Sequence, residues 1–220
     1  PKSPDVSKDA SIFFRKTKFD IDLSFGARKI VNHFEEFKIS LFAIAELSDI
    51  KFDRTLPVFT LNSNPKIVAT EIRKLVNPDF KIKDKDFLTE LIKRLAEKNI
   101  LVFEFVETWN KKERANIDGF FLNPNVIVLK RQQISFKREI FTLAHELGHY
   151  LLNEEEIDQI DYQDFVNQKL SRIETWCNDF AFYFLSGECE KIIETIDNST
   201  AHNDYNIDLI QSISEQTHLS

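Results

Sequence analysis

Apolar residues crowd residues 136–152, where Phe136, Ile140, Phe141, Leu143, Ala144, Leu147, Leu151 and Leu152 fill most of a helical surface and predict a long, mostly buried helix. A second dense pattern, Leu170, Ile173, Trp176, Cys177, Phe180, Ala181 and Phe184, predicts another helix over about 165–185. Upstream, Asn64 before Pro65 is an N-cap followed by proline at the first helical position. Ile67, Ile72, Leu75 and Val76 then supply a buried stripe that Asn77-Pro78 stops. Residues 84–98 form the next helix, burying Phe87, Leu88, Leu91, Ile92 and Leu95, and Asn99 can close it in the left-handed conformation. Residues 100–106 are β-branched and aromatic and read as a strand, followed by a polar loop to Asp118. Residues 119–122 and 126–129 flank an Asn-Pro-Asn turn and read as neighbouring strands. Nearer the start, residues 11–18 read as a strand. Over 24–47, Phe25, Ile30, Val31, Phe34, Phe37, Leu41, Phe42 and Ile44 recur at mostly helical spacing, as one broken helix or two.

Helix, helix, strands, helix, helix is an α+β order, with a small, mostly antiparallel sheet packed on helices. At 220 residues the chain fits one domain with an added appendage, and 42% hydrophobic with 30% charged residues excludes a collagen-like or disordered polymer. No apolar run approaches the roughly eighteen residues of a membrane span, and Pro1 to Asp5 lack a signal peptide's apolar segment. A cytoplasmic protein without a membrane partner is expected. Two cysteines, Cys177 and Cys189, do not make a disulfide framework or a paired-cysteine zinc pattern. Four Gly against 21 Phe, with abundant Lys, Ile and Asn, point to an AT-rich bacterial or phage coding sequence rather than to a functional bias. The net charge of -7 disfavours direct nucleic-acid binding, although Lys130, Arg131, Lys137 and Arg138 form an acid-free stretch.

The chemistry sits on the buried helix. His145-Glu146-Leu147-Gly148-His149 is an H-E-x-x-H motif. At 100° per residue the two histidines lie about 40° apart, one turn above the other, so both imidazoles reach one metal. Glu146 stands on the flank, where a general base can address a water without being a ligand. Two inward imidazoles on a core helix would be costly without a partner, which separates this match from a chance pentapeptide. A catalytic zinc of this type needs a third protein ligand. No histidine lies six residues beyond His149, so the candidates are Glu154, Glu155, Glu156, Asp158, Asp161, Asp164 and Glu174. The first three follow the helix too closely to fold back. Glu174 is preferred because it lies among the buried positions of the later helix, although Ser171-x-x-Glu174 is also a capping box. Asn178, one turn on, is placed to orient a ligand. Tyr150, Tyr162, Tyr183, His202 and Tyr205 are chemically able to stabilise an oxyanion, and the sequence does not choose among them.

The stretch Phe141 to Leu152 around this motif resembles the central helix of the ImmA/IrrE family of bacterial and phage zinc metallopeptidases, and Glu174-Thr-Trp176-Cys177-Asn178-Asp-Phe180-Ala181 resembles that family's second motif. The resemblance covers about 65–187 and implies a gluzincin-like site holding one Zn2+ on His145, His149 and Glu174. The chain departs from the family in lacking a proline after Phe184-Leu185 and in showing no clear helix-turn-helix before about Asp53. The expected layout is an N-terminal, partly helical appendage over 1–64, a zinc metallopeptidase domain over 65–190, and a helical, acidic tail over 191–220.

The leading reading is a zinc endopeptidase with Glu146 as general base, making limited cuts in a cytosolic regulatory protein such as a transcriptional regulator or an antitoxin-like partner. The rival is a zinc-organised binding module of a toxin–antitoxin or phage-immunity pair without turnover. An extended substrate would pair with a strand edge, for which residues 126–129 are the expected segment. The appendage and the basic stretch are the surfaces expected to select the substrate.

Overall fold

The computed structural model describes residues 23–106, 114–131, 135–154, 172–189 and 207–219. Among these, six helices surround a three-stranded sheet: α1 Phe25–Leu47, α2 Pro65–Val76, α3 Asp84–Ala96, β1 Leu101–Val106, β2 Gly119–Leu122, β3 Val126–Arg131, α4 Phe136–Leu152, α5 Arg172–Ser186 and α6 Ile207–Gln216. The strand expected at 11–18 lies outside the described residues, as does the expected start of α5 before Arg172.

Local chemistry sets most boundaries. Asn64 Oδ1 accepts from the Lys66 amide at 2.9 Å at the start of α2, and Ser135 Oγ accepts from the Arg138 amide at 3.3 Å at the start of α4. Asn77, Asn99 and Asn153 take positive φ values of 51°, 58° and 56° as the chain leaves α2, α3 and α4, the conformation that Asn tolerates better than most residues. Residues 25–47 form one continuous helix, capped by Ser24, whose Oγ accepts from the Ala27 amide at 3.1 Å.

The α+β class is as the sequence predicts, but the sheet is mixed. Its order is β1-β3-β2, with β1 parallel to β3 from Leu101↔Val126 to Val106↔Arg131 and β2 antiparallel to β3 from Gly119↔Leu129 to Leu122↔Val126. Strand β3, expected at an edge, is therefore central. Its apolar run explains why: Ile127 and Leu129 join the core formed with α2 to α5, while Val126 and Val128 join a second core under α1.

That second core defines a third layer. Leu23, Ala27 and Val31 pack with Phe105, Phe120 and Val128, and Phe34 lies 6.3 Å from the Phe103 ring and 6.2 Å from that of Phe120. Polar ties fix α1 at its start and beyond its middle: the Ser24 amide donates to Asn116 Oδ1 at 2.9 Å, and Lys38 Nζ donates to the Asn123 carbonyl at 2.8 Å. The connector after α1 wraps the C-terminal end of α4. There the Arg54 guanidinium lies 3.7 Å from the Tyr150 ring centroid and the Phe59 amide donates to the Leu151 carbonyl at 2.9 Å.

The basic stretch is committed internally, which corrects its reading as a selecting surface. Lys130 is buried and donates to the Ala115 carbonyl at 3.2 Å, and Arg131 pairs with Glu139 at 2.8 Å and with Glu104. Lys137 Nζ donates to Ser214 Oγ at 3.0 Å, and Arg138 Nε to Asp118 Oδ2 at 2.9 Å.

Candidate metal centre

Helices α4 and α5 meet near His145, His149 and Glu174 because α4 carries a glycine there. A Cβ on Gly148 would lie 3.1 Å from Cα, Cβ and Sγ of Cys177, tighter than ordinary van der Waals contact, so any larger residue would push α5 away. On α5, Trp176, Phe180 and Phe184 stack at i, i+4 spacing, and Trp176 Nε1 donates to the Ser63 carbonyl at 2.7 Å. This seats the start of α5, where Glu174 and Asn178 lie one turn apart.

Three donors converge there. His145 Nε2 lies 3.1 Å from Glu174 Oε2, His149 Nε2 lies 3.2 Å from Glu174 Oε1, and the two Nε2 atoms are 3.1 Å apart. His145 and His149 are buried, and the Glu174 side chain is 15% exposed. Asn178 Oδ1 accepts from His145 Nδ1 at 3.0 Å, which places the proton on Nδ1 and leaves a lone pair on Nε2. Burial pushes the Glu174 carboxyl up, but the hydrogen bonds and charges of His145 and His149 outweigh it and hold the group well below the usual carboxylate range.

The donor set fits a zinc ion. Two imidazoles and a carboxylate are a zinc ligand set, and zinc–ligand bonds of about 2.0–2.1 Å in a tetrahedron separate the ligand atoms by about 3.3 Å, close to the separations found here. These three residues form a group that could hold a metal ion, with ligand atoms all within 4.8 Å of one another. Without an ion, lone pairs would be brought face to face in a buried space, an arrangement that needs a cation or a proton at its centre.

Glu146 is fully buried beside this group. It lies against β2: a Cβ on Gly119 would come within 3.2 Å of Glu146 Cγ and 2.7 Å of Thr142 Cγ2. Two of the chain's four glycines thus adjoin the site, a role not assigned from sequence although glycine inside apolar helix and strand runs was a usable signal.

Other expected participants fall elsewhere. Glu154 is exposed beyond the end of α4, whereas Glu155, Glu156, Asp158, Asp161, Asp164 and the capping residue Ser171 lie outside the described residues. Tyr150 packs in the core between Arg54 and Phe121. Burial raises its hydroxyl pKa, partly countered by Arg54. Tyr183 is half-buried with the Lys66 ammonium 5.9 Å from its ring. Tyr162, His202 and Tyr205 lie outside the described residues.

No helix among the described residues is long and apolar enough to cross a membrane. No curated protein matches the chain. Residues 95–189 match the family model Peptidase_M78, described as the IrrE N-terminal-like domain. The match runs from the last turn of α3 through the sheet, α4 and α5, and so contains His145, Glu146, His149, Glu174 and Asn178. Over these residues the chain is similar to a peptidase family, that of the IrrE N-terminal-like domain.

Proposed function

We propose that the protein is a zinc-dependent endopeptidase that makes limited cuts in a regulatory protein of the cytosol, a transcriptional regulator or antitoxin-like partner. The observation that carries this is the convergence of His145, His149 and Glu174 with the buried Glu146 alongside. His145, His149 and Glu174 would hold the ion. When bound, zinc supplies Lewis-acid polarisation of a substrate carbonyl and acidifies a water. Glu146 accepts the proton of the attacking water on its carboxylate and passes it to the departing amine, so the same oxygen serves first as base and then as acid. Its burial keeps competing water away and strengthens this exchange. Asn178 keeps the His145 ring turned so that Nε2 faces inward.

The substrate would lie extended along β2. This strand pairs only with β3 among the described residues, and its first residue, Gly119, adjoins Glu146. Main-chain pairing with such an edge aligns a scissile amide without reading its sequence.

Replacing Glu146 by Gln tests the reading, because the amide is nearly isosteric but cannot take the proton. Zinc per chain, measured by atomic emission, and the circular dichroism spectrum are expected to stay as in the parent. Cleavage of the partner protein is expected to fall by roughly 10²–10⁴-fold. Full biological activity in that variant would instead favour a zinc-organised binding module without turnover.

A further inference from the structure

At the opposite end of α4 and α5 from the metal centre, the molecule opens into a groove of about 1420 Å³. Phe136 and Leu185 line it, and they lie nine residues before His145 and eleven after Glu174 along their helices, about 13–17 Å at the α-helical rise. The volume exceeds the roughly 300–1,000 Å³ usual for a small-molecule pocket and suits a stretch of polypeptide.

The groove has the opposite charge sense from the chain. Against a net charge of -7, its described walls carry six Lys and Arg side chains and three acidic ones. Lys74, Lys81, Lys83 and Lys85 are exposed along it and make no ion pair among the described residues. Between them, half-buried Phe80 and Ile82 add apolar surface. A cationic concavity on an anionic protein concentrates field lines on an anionic ligand.

A second observation points to a ligand. His218 is 4% exposed and lines the groove, its ring stacked 3.8 Å from that of Phe87 and its Nδ1 donating to Asp84 Oδ1 at 2.6 Å. Its Nε2 is buried and has no hydrogen-bond partner. An unsatisfied buried polar atom is costly, and an occupant of the groove can supply the missing bond. A polypeptide offers either kind of partner: a main-chain N–H for a neutral ring, or a carboxylate for a protonated one.

We propose that this groove, bounded by His218, Phe80 and the lysines 74, 81, 83 and 85, is a docking site for an acidic segment with interspersed apolar side chains on the protein substrate. The identity of the segment as part of a substrate rests on the peptidase reading above, whereas the binding itself does not. Docking remote from the metal centre explains how main-chain pairing at β2, which reads no sequence, is compatible with selective cutting. It also gives the selecting role to lysines other than the internally paired Lys130, Arg131, Lys137 and Arg138.

The test uses the full chain and a fluorescein-labelled peptide of alternating Glu and Leu, with a Lys and Leu peptide as control, followed by fluorescence anisotropy. The acidic peptide is expected to bind, with affinity that declines with salt, and the basic one is not. Lys81→Glu with Lys83→Glu, both exposed and safe for the fold, is expected to weaken binding about tenfold, the size expected of several small charge interactions. His218→Gln is expected to weaken it as well. Should that buried variant unfold, the lysine pair decides. Equal binding of the two peptides, unchanged affinity after the double reversal, or complete displacement by millimolar inorganic phosphate would overturn the proposal. Peptide binding in a protein that cleaves nothing would remove the peptidase reading and leave the docking site standing, and cleavage without peptide binding would do the reverse.

Discussion

On one side of the sheet, α1 lays Ala27, Val31 and Phe34 across Phe103, Phe120 and Val128; on the other, α4 and α5 bury His145, Glu146 and His149 and most of Glu174. Burial of apolar surface on the first side stabilises the fold by about 25 cal/mol per Å². Burial of ionisable groups on the second costs free energy, offset by their mutual contacts and by any cation they hold. The strands serve both, since alternate residues of β3 point to opposite sides. The sheet takes its cover from α1 and sets α4, with its buried ionisable groups, on the other side, so damage to the first face should unfold the protein and damage to the second should leave it folded but weaken metal binding.

The most severe challenge is removal of α1. Each exposed Val or Phe would forfeit about 1.5–3 kcal/mol, against a typical total stability of about 5–15 kcal/mol. A chain lacking residues 1–52 is therefore expected to aggregate or to lose its cooperative thermal melt, read by circular dichroism and light scattering. A soluble monomer that melts cooperatively would show that α1 is dispensable for the fold. A smaller change on the same face, Phe120→Ala, empties a fully buried position and is expected to cost about 3–5 kcal/mol in urea denaturation. Zinc per chain in that variant should equal the parent's.

On the other face the effects should reverse in kind. Glu174→Ala removes the carboxylate that faces both Nε2 atoms and is expected to lower zinc affinity by at least about 10–100-fold, measured by competition with a chelating dye, with the helical spectrum retained. Zinc held as tightly as in the parent would reduce Glu174 to a residue in the first turn of α5. Asn178→Ala, which frees only the His145 Nδ1 proton, is expected to weaken zinc by about tenfold at most. An equal loss in both variants would mean that ring orientation, not ligand count, dominates affinity.

Much of this was legible along the chain because it is local. The Asn64-Pro65 start of α2, the asparagines ending α2 and α3, and the turn between β2 and β3 depend on neighbours only a few residues away. The pairing of His145 with His149 follows from helical pitch, and the buried position of Glu174 from the apolar residues around it. The central place of β3 was missed, yet its run of apolar residues without polar alternation is the pattern of a strand covered on both faces, and α1 was available to provide the second cover.

Among the described residues, the sequence alone marked where most helices and strands lie and which side chains share a helical turn, since those depend on backbone preference and a fixed repeat. Tertiary structure decided the rest: the parallel match of β1 to β3, the seating of α5 against Gly148, and the pairing of Arg138 with Asp118 twenty residues away. It also brought His218 to Asp84, 134 positions apart, beneath a cationic groove. Each of these is a contact between segments whose separation along the chain carries no information about their meeting, because packing and charge compensation are settled only when the whole core closes.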